Sequence, residues 1–288
     1  ILVAKFKSSP ANNFLIILLI CVLSLLLGKV HWTKPINTLK VGIIQNNVKK
    51  DIFNNHNINS NFKYFYQNFK NLSSAQIVIW PEGSFIYNKN LQFLNKNKQL
   101  YIGGVFTFSK QQKVHNSLLV FNSSSDLLFV HHKYYLAQFN ETIPDYLQWL
   151  LKLLNLPHIG LEPGSGNDVI FESQYGKIGN LICYELLFPQ FVHSFTNKIN
   201  YLIVVNDLSW FLGSSFNTQY NQIAKFVAVS SQKPVIISSN YGTSVWIDYN
   251  GKVLKSFKAR SKQSGVESTS IYKGETPIGL YGDFIVVL

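Results

Sequence analysis

The chain of 288 residues contains no methionine, two cysteines and a single arginine, Arg260. Since one cysteine, Cys21, lies inside an apolar stretch, the sequence offers no disulfide framework. Methionine is absent even at position 1, which predicts that the sequence begins inside a longer open reading frame. The net charge is +12, carried almost entirely by lysine. This surplus indicates a solvated basic surface or attraction to anionic lipid headgroups, whereas no basic-aromatic motif for nucleic acid occurs.

A cluster of metal-ligating residues is also missing from the sequence. His131 and His132 are adjacent rather than placed to face one another, and no second group of ligands accompanies them. The sequence therefore predicts neither a metal site nor a cofactor.

One long apolar run begins near the amino terminus. It covers residues 11–30 and has its uncharged centre at residues 14–27. A membrane-spanning helix needs about 20 mostly apolar residues, and the exit at residues 28–32 has no small-x-small cleavage pattern. The run therefore predicts one transmembrane helix rather than a cleaved signal peptide. A second apolar run, residues 284–288, is read either as a last strand or as the start of another span.

The rest of the chain alternates short apolar runs with segments of helical spacing, and its 47% hydrophobic content is enough for one substantial core. Strands are predicted at residues 39–45, 76–80, 100–108, 117–121, 127–130, 169–171, 177–182, 201–205, 235–238, 244–248 and 253–257, and helices at residues 62–72, 146–154, 188–196 and 218–230. This order predicts an α/β domain in which helices cover two sheets. The expected divisions are an amino-terminal segment 1–32, a catalytic domain 39–275 and a carboxy-terminal segment 276–288 that begins a membrane segment.

Three polar residues stand where predicted strands end: Glu82, Lys133 and Cys183. A cysteine between a buried strand and a helix occupies a sharp turn that exposes its sulfur, as in the nucleophile elbow of serine hydrolases. A free thiol, with a pKa of about 8.5, needs a base near neutral pH, which makes Glu82 the candidate base. Lys133, together with the backbone N–H of Tyr184, is then the candidate donor to a tetrahedral oxyanion. Taken singly, each residue has a structural interpretation, as packing, a turn cap or a surface charge, and only their joint placement favours the catalytic one.

The motifs around these residues resemble the carbon–nitrogen hydrolase (nitrilase) superfamily, whose members use a Glu-Lys-Cys triad. Within it the resemblance is to apolipoprotein N-acyltransferases. The motifs that carry it are Trp80–Glu82, Lys133–Pro144, Cys183–Glu185, Asn206-Asp207 with Trp210-Phe211, and Thr276-Pro277 with Gly282-Asp283. The chain departs from the family pattern where Gln138 and Asn140 replace a proline and a glycine, and where Asn46 replaces a glycine.

This resemblance implies a nitrilase-like four-layer α-β-β-α sandwich and a ping-pong acyl transfer. Cys183 would take a fatty acyl group from a phospholipid as a thioester and pass it to the amine of a diacylglyceryl-cysteine lipoprotein, at the periplasmic side of the bacterial inner membrane. Glu141 would orient Lys133 or the incoming amine. Tyr184 and Glu185 would shape the pocket, with packing of Tyr184 and helix capping by Glu185 as the alternative. Lids over the site would come from Phe85, Trp210 and Phe211, for which core packing is an equal alternative.

Two other functions remain open from the sequence. One is a membrane-anchored amidase of the nitrilase type that uses the same triad on a small amide. The other is a catalytically impaired remnant of the transferase, suggested by the altered loops and by the membrane helices that the family carries before the domain.

Overall fold

The computed structural model describes residues 10–48, 64–65, 67–68, 71–84, 98–144, 146–147, 149, 153, 160–211 and 213–282. The chain forms two compact units, Ile1–Trp32 and Thr33–Leu288. The predicted lid residue Phe85 and the apolar run 284–288 lie outside the described residues, as does most of the predicted helix 146–154.

The first unit contains helix α1, Pro10–Leu27, whose large apolar side chains between Phe14 and Leu26 are exposed where described. Of the helices that the structure describes, none is both long and apolar enough to cross a membrane. The predicted transmembrane helix is therefore not supported. Asn12 and Asn13 occupy the first turn of α1, and the apolar remainder rises about 21 Å at about 1.5 Å per residue, against a hydrocarbon core of about 30 Å.

The second unit contains the strands and the remaining described helices. The strands are β1 Thr33–Gln45, β2 Ile77–Trp80, β3 Leu100–Phe108, β4 Val114–Phe121, β5 Leu127–His132, β6 Ile170–Ser173, β7 Gly176–Ile182, β8 Tyr201–Asp207, β9 Val235–Asn240, β10 Val245–Ile247, β11 Val253–Ser256 and β12 Gln263–Gly274. The helices are α2 Pro189–Thr196, α3 Phe216–Ser231 and α4 Pro277–Tyr281, with 3₁₀ helices at Cys183–Leu187 and Ser209–Phe211.

These strands form two six-stranded sheets, ordered β12-β1-β2-β3-β4-β5 and β11-β10-β9-β8-β7-β6. β1, β2 and β3 are parallel, as are β7, β8 and β9. β4 runs antiparallel to both β3 and β5, so β5 has the direction of β3. In the first sheet the carboxyl ends of β2 and β5 therefore share an edge with the amino end of β4. In the second sheet the carboxyl ends of β7, β8 and β9 share an edge.

The main core lies between the two sheets. Strand β2 illustrates this packing. Ile77 and Ile79 face the second sheet, whereas Val78 and Trp80 lie on the outer face of the first sheet and pack with Phe65. Both faces are covered, as its continuous apolar sequence predicts. On the outer face of the second sheet, side chains of β8 pack against helices α2 and α3. The structure thus has two mixed sheets packed face to face, with helices on the outer face of the second, which confirms the predicted α/β fold.

The boundaries of most predicted strands agree with the structure to within a few residues, but β12 was not predicted. Its sequence, Gln263–Gly274, is mostly polar, and no residue from Gln263 to Glu267 is fully buried. β12 exists because it pairs antiparallel with β1 along the whole length of that strand, at the margin of the first sheet. The edge position leaves the strand without the apolar pattern on which strand prediction depends.

Candidate active site

Glu82 is held by a tight turn after β2. Ser84 donates through its hydroxyl to the Pro81 carbonyl at 2.8 Å, and through its backbone N–H to the Gly104 carbonyl at 3.1 Å. Gly104 has to be glycine, because a Cβ there would lie 2.3 Å from the Cα of Glu82. The turn and the neighbouring strand β3 thus fix the carboxylate in a buried position, 3% exposed.

Four buried side chains of the first sheet and its loops form a continuous polar cluster. The Lys133 Nζ lies 3.0 Å from Glu82 Oε1 and 2.7 Å from Glu141 Oε2. Asn116, in β4, donates through Nδ2 to Glu82 Oε1 and to Glu141 Oε1, at 2.6 Å each. Its backbone carbonyl accepts from the Lys133 N–H at 2.8 Å. Each of the two carboxylates is therefore bonded both to the ammonium and to the same carboxamide.

Glu141 reaches this cluster from a closed loop after β5. The Ala137 N–H donates to Glu141 Oε2 at 2.8 Å, and the Glu141 N–H donates to the Ala137 carbonyl at 2.8 Å. Within this loop Phe139 has a left-handed backbone, φ 62°. Asn140 has no such φ, so its replacement of a glycine places no strain on the loop.

Cys183 follows β7 directly and adopts a left-handed backbone, with φ 46°. A non-glycine residue rarely occupies this region, and such strain persists only where the surroundings hold it. Here the hydroxyl of Tyr220, in α3, donates to the Cys183 carbonyl at 2.8 Å. Cys183 as a residue is half-buried and packs against the core between the sheets. A thiol on a strained strand-to-helix turn is the geometry of a nucleophile elbow.

Glu185 ties the elbow to the first sheet. Its Oε2 accepts from the Ile182 N–H at 2.7 Å, and its Oε1 accepts from the Tyr134 N–H at 2.7 Å. The ring Nε2 of His131, in β5, lies 2.9 Å from Oε2. Glu185 is fully buried. Glu185 thus fixes Ile182, which precedes Cys183, relative to Tyr134, which follows Lys133.

The N–H of Asp207, at the end of β8, connects the two sheets at the site. It donates to Glu82 Oε2 at 2.8 Å, and a backbone hydrogen bond from Asp207 also reaches Cys183. The Asp207 side chain is turned away, because its oxygens accept from Asn240 Nδ2 at 3.0 Å and from the Ser209 N–H at 2.8 Å. The second oxygen of Glu82 is therefore on the side of the thiol.

The charges of the cluster act on the thiol. Burial raises the pKa of the Cys183 thiol well above its usual range, and the charge of Glu82 raises it further, against a lowering effect of Lys133. For Lys133, burial alone would lower the pKa, but Glu82 and Glu141 outweigh it and hold the pKa above its ordinary value. At neutral pH the site therefore contains a protonated thiol and a charged lysine, so the thiol needs a base before it can attack.

The structure brings together five of the predicted residues: Glu82, Lys133, Glu141, Cys183 and Glu185. Of the other predictions, Tyr184 is half-buried and meets the ring of Phe188 edge to face, at 5.2 Å between centroids. Trp210 and Phe211 lie on the 3₁₀ helix that follows Asp207 and are 62% and 42% exposed. Phe211 stacks on Phe216 at 4.0 Å.

Sequence reasoning missed four contributors: Asn116, His131, the backbone of Asp207, and Tyr220. Asn116 had a weak signal, a buried amide at the start of the apolar strand β4. The other three act through single contacts to residues far away in sequence, which no local pattern reveals. Within the part of the chain that the structure describes, no three metal-binding side chains converge.

A two-sheet sandwich with a cysteine elbow, a lysine and two glutamates at one edge has the architecture of nitrilase-like enzymes. The sequence model of the carbon-nitrogen hydrolase family matches residues 62–271. The chain belongs to the carbon-nitrogen hydrolase family.

Curated and solved relatives agree with this assignment. The chain is 26% identical over 298 residues to the apolipoprotein N-acyltransferase of Coxiella burnetii, covering 97% of this chain and 61% of that protein. It is 28% identical over 200 residues to the Rickettsia prowazekii apolipoprotein N-acyltransferase, covering 65% of this chain and 40% of that protein. The chain thus spans roughly half the length of these relatives. The structure of Saccharomyces cerevisiae Nit3, of the nitrilase superfamily, superposes with a TM-score of 0.60 at 20% identity over 88% of this chain and 96% of Nit3, which shows the fold.

Proposed function

We propose that the protein transfers a fatty acyl group from a phospholipid to the amino-terminal amine of a diacylglyceryl-cysteine lipoprotein, through a thioester on Cys183. The observation that carries this proposal is the cysteine on a strained turn that interacts electrostatically with a buried base and a charged lysine. The similarity to apolipoprotein N-acyltransferases over 97% of the chain supports the choice of substrates.

In the first half-reaction the Cys183 sulfur attacks the ester carbonyl carbon of the phospholipid, and the thiol proton passes to Glu82 Oε2. The tetrahedral oxyanion is held by the Lys133 ammonium and the Tyr184 N–H. When the intermediate collapses, the C–O bond breaks and the leaving alkoxide takes the proton from Glu82. The products are a lysophospholipid and the acyl thioester.

The second half-reaction reverses the roles of the groups. The lipoprotein amine attacks the thioester carbon and gives its proton to Glu82, the C–S bond breaks, and the proton returns to the Cys183 sulfur. The product is an amide, and the free thiol is regenerated. A covalent acyl-enzyme of this kind is the mark of ping-pong chemistry. Glu141 keeps Lys133 in place for both steps.

Transfer to an amine rather than to water requires lipid substrates and a site that excludes water. Exposed aromatic side chains flank the site on both sides: Phe139, 70% exposed, in the Glu141 loop, and Trp210, 62% exposed, beyond Asp207. Such side chains suit contact with acyl chains. Because both proposed substrates are membrane lipids, we place the reaction at the periplasmic face of the bacterial inner membrane.

The geometry of the altered loops favours an active enzyme over an impaired remnant. Neither Asn46 nor Asn140, which replace glycines of the family pattern, has a left-handed backbone. Despite Gln138 and Asn140, the loop delivers Glu141 to within 2.7 Å of Lys133. The substitutions thus leave the contacts of the cluster intact.

The test is the intact mass of the full-length protein after incubation with phosphatidylethanolamine vesicles. The proposal predicts an added fatty acyl mass that disappears in Cys183→Ala and persists in Cys21→Ala, the matched change at the other cysteine. A synthetic peptide with an amino-terminal diacylglyceryl-cysteine should then remove the acyl mass and become N-acylated. Hydrolysis of small amides without acylation would identify an amidase instead, and the absence of both reactions would identify an inactive remnant.

A further inference from the structure

We infer that Asn116 is a positioning residue of this site, a role that rests on the proposed acyl transfer: its carboxamide holds Glu82 and Glu141 on either side of Lys133 and keeps Glu82 ionised. No sequence motif discussed above contains this residue. It acts through the carboxylates and touches neither substrate nor thiol in this account.

The carboxamide of Asn116 commits both of its N–H groups to the cluster. Nδ2 lies 2.6 Å from an oxygen of Glu82 and 2.6 Å from an oxygen of Glu141, short distances typical of charge-assisted hydrogen bonds. The opposite amide orientation would direct Oδ1 at two carboxylates. Because both neighbours are carboxylate acceptors, the NH2 group of Asn116 and not its carbonyl oxygen must face them.

The carbonyl oxygen of the same carboxamide is buried and has no hydrogen-bond partner. A buried unpaired acceptor is unfavourable, and its presence in a native structure calls for an explanation. An apolar residue at this point of β4 would avoid the cost. The two N–H bonds to carboxylates explain why an asparagine occupies the position.

The net charge of the cluster gives the two hydrogen bonds of Asn116 an effect on the ionisation of Glu82. Two carboxylates share one ammonium, Lys133, so the cluster carries excess negative charge in a buried place. Cys183 and Tyr220 also act electrostatically with Glu82, and neither supplies a positive charge. The Asn116 N–H groups therefore favour the ionised state of Glu82, which is the state that accepts the thiol proton.

The experiment measures acylation of the full-length protein by p-nitrophenyl octanoate, as the burst of nitrophenol, across the acid to mildly alkaline range. In Asn116→Leu and in the isosteric Asn116→Asp, we expect the acid limb to move up by about one to two pH units, because Glu82 takes up a proton at higher pH once the donors are lost. At a given pH on the acid limb the burst rate falls accordingly, by about ten- to hundredfold.

Asn180 provides a matched control. It is an equally buried asparagine in β7, its Oδ1 is likewise unpaired, and its Nδ2 donates only to backbone carbonyls, of Val169 at 3.3 Å and of Ile178 at 3.2 Å. Asn180→Leu should lower the thermal unfolding temperature and leave the acid limb where it is. A merely structural role for Asn116 would make the two leucine variants behave alike.

An unchanged acid limb in a folded Asn116→Leu or Asn116→Asp variant would overturn the inference. If the leucine variant does not fold, the isosteric variant decides. The activated ester separates this inference from the proposed function, because it reports on the thiol and its base without requiring a phospholipid. A shift of the acid limb in a protein that phospholipid never acylates would sustain the role of Asn116 and refute the proposed substrates.

Discussion

The two sheets supply different kinds of residue to the candidate site. The first sheet and its loops supply Glu82, Lys133 and Glu141, charged groups that are bonded to one another and to Asn116. The second supplies Cys183, a half-buried residue whose backbone is strained.

This difference matches the two demands of acyl transfer. Charge that stabilises a transition state works best when it is fixed before the reaction, which a closed network of hydrogen bonds achieves. A nucleophile has to be accessible, and a left-handed turn after a strand exposes it. Contacts between the two sheets at the site include the hydrogen bond from the Asp207 N–H to Glu82 and the contact of Glu185 with His131. These contacts set the position of the nucleophile relative to the charged groups.

The largest effect should come from breaking the charged half. In Lys133→Met the oxyanion loses its ammonium and two buried carboxylates lose their counter-ion, so we expect the acylation burst to fall by about 10²–10³. The matched control is Lys233→Met, since Lys233 is equally buried but donates to the Tyr272 and Gly274 carbonyls, at 3.0 Å each. Equal losses in the two variants would show that the charge of Lys133 has no special role.

A smaller effect should come from weakening the contacts of Glu185, which connect the turn at Cys183 to the first sheet. Glu185→Gln replaces one acceptor oxygen by a donor and so opposes an N–H of Ile182 or Tyr134, which shifts the elbow. A displacement of about 1 Å costs up to about 10² in rate, and we expect a loss of that order in the burst. Glu172→Gln, at the exposed position of β6 in the same sheet, should be neutral. A wild-type burst in Glu185→Gln would show that the elbow keeps its place without this contact.

The smallest of these three effects should come from losing a hydrogen bond that holds the turn at Cys183. Tyr220→Phe removes the hydrogen bond to the Cys183 carbonyl, which as a neutral bond contributes about 0.5–1.5 kcal/mol, so the burst should fall about tenfold at most. Tyr201→Phe, which removes a buried hydroxyl from the core between the sheets, is the control and should leave the burst unchanged. A loss in Tyr220→Phe as large as that in Lys133→Met would contradict the view that the first sheet supplies the catalytic charges and the second only the nucleophile.

The same division explains what the sequence could predict. Glu82, Lys133 and Cys183 were found because each ends an apolar strand, and parallel strands bring their ends to a common edge. Asn116 lies near the start of β4, and its partners are 34 and 25 residues away, so the local sequence marks it only weakly. The edge strand β12 lacked an apolar pattern, and the apolar run at residues 11–30 was long enough in sequence but its helix is not supported as a span.

The most direct test is to map the acyl group after incubation with phospholipid, by peptide mass spectrometry of the wild-type protein and of Glu82→Gln. The proposed mechanism predicts a hydroxylamine-sensitive thioester on the peptide that contains Cys183, formed at least about 10² more slowly in Glu82→Gln. An acyl group at another residue, or one formed on Cys183 at the wild-type rate without the carboxylate of Glu82, would contradict it.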